Sequence, residues 1–475
     1  MRAHPAGPLH GDGLLQAMFP PPPDPAAMAR LDAQIWSATS RRDASGAIVV
    51  GGTSVPAMVA KHGTPLLLLD EADFRARAAA FQSAYDDRDL PGSVSFAGKA
   101  FLSATTVRWL AEEGLGLDVC SGGELALAVA AGFPAERITL HGNNKSDDEL
   151  RAGLAAGVGR FVVDALEEVD RLADLAAEAG AVAGVLVRVT TGVEAHTHEF
   201  IATAHEDQKF GLSLTSGAAR DAVLAVAGRP ELRLLGIHSH IGSQIFSTSG
   251  FEVAAQRVVG FIAALAQGDG VAVEELNLGG GMGIAYLPGD DPVAPVGMAE
   301  ALRVIVAGEC ARHDLRVPHI AVEPGRAIVG PSMMTVYEVG TVKPVEYRHG
   351  AWRTYVSVDG GMSDNIRTAL YDAEYTVVLA NRISAAPAML CRVVGKHCES
   401  GDVVVRDAWL PSDLGRGDLL AVAATGAYCR AMASNYNMLP KPPVVSVRAG
   451  TDRIVLRRET LADLLALDPG LAPAQ

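Results

Sequence analysis

The run VSFAGK ends in Lys99. A lone lysine closing a hydrophobic run is costly to bury while charged. Burial lowers its pKa and makes it an amine nucleophile able to form a Schiff base. The bland alternative is a lysine whose stem covers apolar surface while its head stays in water. In LNLGGGMG, Gly279, Gly280 and Gly281 follow an apolar run. Such glycines bare their backbone N–H groups and can cradle a phosphate, although the same string also makes plain turns. IGSQ adds a hydroxyl, Ser243. GIHSHIGS spaces His238 and His240 two apart, on one face of a strand. They suit zinc if AHTHE (His196, His198) supplies a further ligand, or one suits a cofactor ring as a stacked imidazole. For either alone, a satisfied core histidine is the commoner outcome. AVEPGR ends in Glu323, able to hold a protonated ring nitrogen, and Arg326, able to fork onto a phosphate or carboxylate. A turn with a surface ion pair is the plain reading of that stretch. Finally, VVGKHCESGDVVV sets Cys398 beside Glu399 between two valine runs, where a simple hairpin asks for neither.

These residues sit at the ends of regularly spaced runs. VSFAGK (94–99), LGLDVCSGGE (115–124), ITLHGNNK (138–145), RFVVDA (160–165), VLVRVTT (185–191), LRLLGIHSHIGS (232–243), LNLGGG (276–281) and HIAVEPGR (319–326) alternate with Ala/Leu/Glu-rich helical stretches. Eight such units over about 230 residues fit a (β/α)8 TIM-like barrel better than an open doubly wound sheet. All strand C-termini of a barrel open on one face, so the scattered motifs converge there. Beyond 330 the runs are short and closely spaced, as in an all-β sandwich- or barrel-like domain. The segment 46–69 carries similar strands. The expected division is a mobile Pro-rich lead (1–30), an N-terminal contribution to the β domain (31–69), the barrel (70–330) and the C-terminal β domain (331–475).

The 475 residues carry a net charge of −15, which argues against a nucleic-acid partner. Five cysteines without a C-x-x-C pair argue against a disulfide framework or structural zinc, and for a reducing cytoplasm. No apolar run approaches the ~18 residues of a membrane span, and the N-terminus lacks the apolar core of a signal peptide.

An amine, a phosphate cradle, a stacking histidine and a ring-nitrogen carboxylate together describe pyridoxal 5′-phosphate, which acts as an electron sink. At this level the chain resembles the diaminopimelate decarboxylases, fold-type III pyridoxal-phosphate enzymes of lysine biosynthesis. The matching stretches are FAGKAF, LDVCSGGEL, HGNNKS, THEFI, QKFGL, HSHIGSQ, LGGGMGIAY, EPGR, VDGGMSDNIRTALY, GKHCESGD, ATGAY, SNYNMLPKP and RRET, in family order from about 46 to 465. The resemblance implies decarboxylation of meso-2,6-diaminopimelate to L-lysine and CO2 by a cytoplasmic homodimer with shared active sites, and no catalytic metal. It implies that Lys99 carries the cofactor, His240 stacks on its ring and Glu323 holds the ring nitrogen. Ser243, Gly280, Gly281, Pro324, Gly325, Arg326 and Tyr428 are implied as phosphate or cofactor contacts. Arg326, Arg367, Tyr371 and Tyr428 are implied as substrate contacts. Cys398, as proton donor, and Glu399, for the distal ammonium, are implied to reach in from the partner subunit. Two positions depart from the family pattern: Ser247, where Asp is commoner, and Gly98, where Ala or Val is. Related readings are a decarboxylase of ornithine, arginine or carboxynorspermidine, and an inactive regulatory homologue; Glu399, where ornithine-type enzymes carry Asp, favours diaminopimelate.

Overall fold

The structure, a computed structural model, describes residues 21–86, 92–192, 209–348 and 351–471. The chain divides into two compact units, one of 75–284 with 291–328 and one of 1–74, 285–290 and 329–475.

The first unit is a parallel barrel. Its strands are β1 (Gly92–Ala97), β2 (Gly116–Val119), β3 (Ile138–Leu140), β4 (Arg160–Val163), β5 (Ala183–Thr190), β6 (Leu232–Ser239), β7 (Glu275–Asn277) and β8 (His319–Val322). Each pairs with the next, and β8 returns to β1 with Ile320 opposite Gly92 and Val322 opposite Val94. That closing pair excludes the open sheet, and all eight runs read from the sequence are barrel strands. A two-residue strand, Leu212–Ser213, adds to β5. Parallel strands covered by helices are buried on both faces, so they are short and continuously apolar. Phe96, Leu117, Leu140, Phe161, Val187, Ile237, Leu276 and Ile320 are all buried.

Local sequence sets the helix limits between strands. Ser146 and Glu149 form a capping box on Asp147–Ala156, and Gly157 ends that helix in the left-handed region at φ 76°. The N-cap alone contributes about 1 kcal/mol. Gly180 ends Leu166–Ala179 in the same way at φ 61°.

One helix corrects the membrane expectation. Ser249–Asp269, at 21 residues, is long and apolar enough to span a bilayer, with a mean hydropathy of 1.2. Half of that window is buried, and Phe251, Ala254, Val258, Ile262 and Leu265 lie in the interior. Composition alone cannot separate a core helix from a span.

The second unit is mostly sheet. The long strand Met333–Arg348 pairs antiparallel with Leu66–Asp70, which pairs parallel with Val444–Arg448. On its other side Met333–Arg348 pairs with Ala351–Val358, followed by Ala388–Val394 and Val403–Pro411. Ile48, Leu66, Leu68, Val336, Leu419 and Val445 build a core with Trp36. Of the N-terminal lead, residues 1–20 lie outside the described residues. Pro25–Ala29 is a short helix capped by Asp24.

Candidate active site

The C-terminal ends of the barrel strands carry the chemistry of the first unit. Lys99 lies in a 3-10 turn, Gly98–Ala100, just past β1. Its side chain is exposed, as in the reading that keeps the lysine head in water. Gly98 has a structural reason: a Cβ there would sit 2.7 Å from the Asp118 carbonyl oxygen, so β1 and β2 approach too closely for a side chain. Ser247 is exposed and hydrogen-bonds the Ser249 hydroxyl at 2.9 Å.

Glu323, past β8, is buried among imidazoles. Its Oε1 lies 3.1 Å from His238 Nε2 and 3.3 Å from His141 Nε2. His141 Nε2 is also 3.6 Å from Asp118 Oδ1, and the two imidazole rings meet edge to face at 5.1 Å. Burial drives His238 down to about 4, so it is neutral at pH 7, and its Nε2 hydrogen-bonds Glu323 Oε2 at 3.3 Å. Burial also opposes charge on His141, but the Glu323 charge and the Asp118 contact win and hold it up at about 9. Burial works against ionised Glu323, yet the His238 and His141 imidazoles hold its carboxyl well below the usual range. Burial, with the Glu323 charge, lifts Asp118 to about 7. Burial, with the Lys99 charge, lowers His240 to about 3.

The zinc reading fares differently. His196 and His198 lie outside the described residues, and His240 is not part of the histidine–carboxylate cluster. The ligand atoms that converge, within 4.8 Å of one another, belong to His141, His238 and Glu323. Their short contacts form a charge-balanced set, and these residues face the barrel mouth.

This cluster makes stability pH-dependent in the cofactor-free protein. Natively, Asp118 keeps its proton above its unfolded value of about 3.9, and His141 above about 6.5. At these two groups the native state binds more protons than the unfolded one, so their contribution falls as pH rises, whereas His238 and His240, lowered natively to about 4 and about 3, bind fewer and act in the opposite sense below about 6.5. The Asp118 part is lost between about 4 and 7, and the His141 part between about 6.5 and 9. The slope is at most about 1.4 kcal/mol per pH unit for each proton. His141→Asn should flatten the upper part of a denaturant-derived stability curve. An unchanged slope would show that His141 is not charged in the fold.

The loops after β6 and β7 form one cradle. Ile245 N–H donates to Gly281 O at 2.9 Å, and Gly283 N–H to Ile245 O at 3.0 Å. The Gln244 amide donates to Ile284 O and accepts from Ile284 N–H, at 2.7 and 3.2 Å. A Cβ on Gly280 would lie 2.2 Å from Glu323 O, and one on Gly281, at φ 107°, 2.4 Å from Gly242 O. No side chain fits, so backbone lines the cradle. The Arg326 guanidinium donates to Ser243 Oγ at 2.9 Å, adding a cation and a hydroxyl. The His240 ring abuts Gly279, where a Cβ would come within 2.9 Å of Nδ1. An anion cradle, an ionised buried carboxylate with Oε1 lacking a hydrogen bond, a neutral imidazole and an exposed amine fit pyridoxal phosphate group by group.

In the second unit, Arg367 is buried and donates through Nη1 to Tyr286 and Tyr375 hydroxyls at 2.9 and 2.5 Å. Its guanidinium lies 5.0 and 5.6 Å from those ring centres. Burial opposes its charge, but the two tyrosines raise its pKa further. Tyr371 is exposed. Tyr428 takes a left-handed φ of 65° after Gly426, where a Cβ would strike Val329 O. Cys398 is exposed, and Glu399 Oε1 accepts Gly401 N–H at 3.1 Å. Both lie on the connection between Ala388–Val394 and Val403–Pro411.

Sequence reading missed Asp118 and His141, although both lie in quoted motifs at strand ends. Position at a β2 or β3 terminus was the usable signal. Glu124 accepts Cys120 N–H at 2.7 Å. Tyr286 and Tyr375 were also missed.

A parallel barrel with this lysine, carboxylate and anion cradle at its mouth defines a barrel-type pyridoxal-phosphate enzyme. Residues 71–330 match the family of pyridoxal-dependent decarboxylases, in its pyridoxal binding domain. The diaminopimelate decarboxylase of Mycobacterium leprae is 53% identical over 473 residues, covering 98% of this chain and 100% of the relative. That of Bacillus subtilis is 45% identical, covering 90% and 97%. The crystal structure of diaminopimelate decarboxylase from M. jannaschii in co-complex with L-lysine superposes with a TM-score of 0.85 at 29% identity, covering 92% and 98%. The chain belongs to the diaminopimelate decarboxylase family and is a pyridoxal-phosphate-dependent carboxy-lyase.

Proposed function

We propose that the protein converts meso-2,6-diaminopimelate to L-lysine and CO2, the last step of lysine biosynthesis, as a cytoplasmic homodimer. The observation that carries this reading is the near full-length match to diaminopimelate decarboxylases. Bound pyridoxal phosphate supplies an electron sink for the carbon that loses CO2. The barrel of 70–330 holds it, with 31–69 belonging to the β domain of 331–475. The Lys99 amine anchors it, the neutral His240 ring covers its face, and Glu323 accepts its ring N–H. Gly280, Gly281, Ser243, Pro324, Gly325, Arg326 and Tyr428 hold its phosphate end. Arg367, with Tyr371, Tyr428 and Arg326, takes substrate carboxylate; the tyrosine-backed guanidinium is fixed in place before substrate arrives, which cuts the ordering cost of binding. Glu399 of the second copy accepts the distal ammonium, and its Cys398 returns a proton to the reacting carbon. A site built for both charged ends rejects analogues lacking one, because its own groups are then left unpaired.

CO2 release is measured from meso-diaminopimelate, ornithine and arginine, with and without added pyridoxal phosphate. Turnover of meso-diaminopimelate alone, dependent on the cofactor, is expected. Preferential turnover of ornithine overturns the assignment.

A further inference from the structure

The loop Gly395–Asp402 presents Cys398, yet Lys396, Cys398 and Ser400 are exposed and cannot fix it. What fixes it is behind it. The Asp402 carboxylate accepts Met362 N–H at 2.6 Å and His397 N–H at 2.8 Å. Lys396 N–H donates to Gly360 O at 3.0 Å. A Cβ on Gly361 would come within 2.5 Å of that carboxylate. These bonds hold the base of the loop.

At its tip the buried side chain is His397. The His397 imidazole is 8% exposed, beside the exposed Cys398. Its Nδ1 lies 3.0 Å from Asn437 Oδ1, and its Nε2 lies 2.8 Å from Ser363 Oγ. An amide oxygen only accepts, so Nδ1 carries the hydrogen. The ring also stacks on Tyr436, at 5.2 Å between centres and 24° between planes. The Asn437 backbone takes a left-handed φ of 52° to offer its side chain, and Ser434 N–H ties the same turn to Ser363 O at 2.9 Å. The turn 434–438 belongs to the SNYNMLPKP stretch, to which no step of the reaction has been given.

We infer that His397 is a positioning residue: clamped between Ser363 and the Tyr436–Asn437 turn, it sets where Cys398 and Glu399 stand. The inference rests on the proposed roles of Cys398 and Glu399, but its geometry does not depend on the substrate. The backbone bends through 396–398, and with the imidazole held in the interior the adjoining thiol stands exposed, so a fixed ring fixes where the next residue starts. Losing the clamp leaves the fold's core untouched and lets the thiol sample other positions.

The test uses the full-length protein carrying its cofactor, with iodoacetamide as probe and the label on the Cys398 peptide quantified separately from exposed Cys120. In His397→Ala, alkylation of Cys398 should change by roughly tenfold, the scale of a lost hydrogen bond. kcat should fall by about ten- to a hundredfold, KM should rise, and cofactor absorbance should stay at the parental value. His397→Gln, which keeps a donor toward one partner, should recover part of both. Asn437→Ala, at an exposed position, should shift alkylation in the same direction and serves where His397→Ala does not fold. Parental alkylation and parental kcat and KM in a folded variant, whatever its Tm, overturn the inference. Altered alkylation in a protein that does not turn over meso-diaminopimelate would sink the substrate assignment and leave the clamp standing.

Discussion

Lys99→Ala should abolish turnover, with kcat reduced about 10³-fold or more, the scale on which loss of a reacting group falls. The argument is positional. Lys99 is exposed at the end of β1, and its charge is felt at His240 and Asp118, so its amine lies at the barrel mouth. The lysine of the β3 loop cannot replace it. Lys145 is buried and its Nζ donates to Gly142 O, Val162 O and Glu168, each at 2.6 Å. Freeing that ammonium would leave Glu168 as an unpaired buried charge, at a cost of about 3–5 kcal/mol. Lys209 lies over the Phe210 ring, at 4.9 Å from its centre. Borohydride reduction followed by denaturation should leave cofactor bound to the parent and none to the variant. Cofactor retained covalently by Lys99→Ala, or parental kcat, would remove Lys99 from its assigned role.

The same residues show what a sequence can and cannot reveal. The eight barrel strands were legible because a strand covered on both faces must be apolar throughout, and its abrupt polar end marks the mouth. Lys99, His240, Glu323 and the glycines were singled out as candidates by that rule. His141 and Asp118 obey it equally, but their weight comes from one another and from Glu323. Burial and mutual charge, which decide that His141 is charged while His238 is neutral, exist only once β2, β3, β6 and β8 are side by side. Lys99's exposure was illegible for the converse reason: two residues past a strand, a side chain turns in or out by the geometry of the turn. The tyrosines behind Arg367 lie 81 and 8 residues away, with no periodicity to link them. The helix Ser249–Asp269 escaped notice as a long apolar segment because Glu252, Gln256 and Arg257 interrupt it, and hydropathy records how apolar a segment is and not what covers it.

Two inactive variants, Lys99→Ala and Cys398→Ala, should recover activity when unfolded together in equal amounts and refolded. Random pairing makes about half the dimers mixed. In a two-fold dimer the sites are equivalent by symmetry. If each site takes Lys99 from one copy and Cys398 from the other, one site of a mixed dimer loses both residues and the second keeps both. About a quarter of the parental sites are then intact. If both residues come from one chain, every site in every dimer lacks one of them and nothing is recovered. The outcome is therefore all or nothing around a stated value. The assay also needs Cys398 to be presented outward from its own chain. Its thiol is exposed, and the His397 clamp behind it holds the loop to Ser363 and Asn437 of the same copy. Activity near a quarter of parental, absent from either variant refolded alone, supports the shared site. No recovery, with dimers confirmed by sedimentation, would return Cys398 to its own barrel.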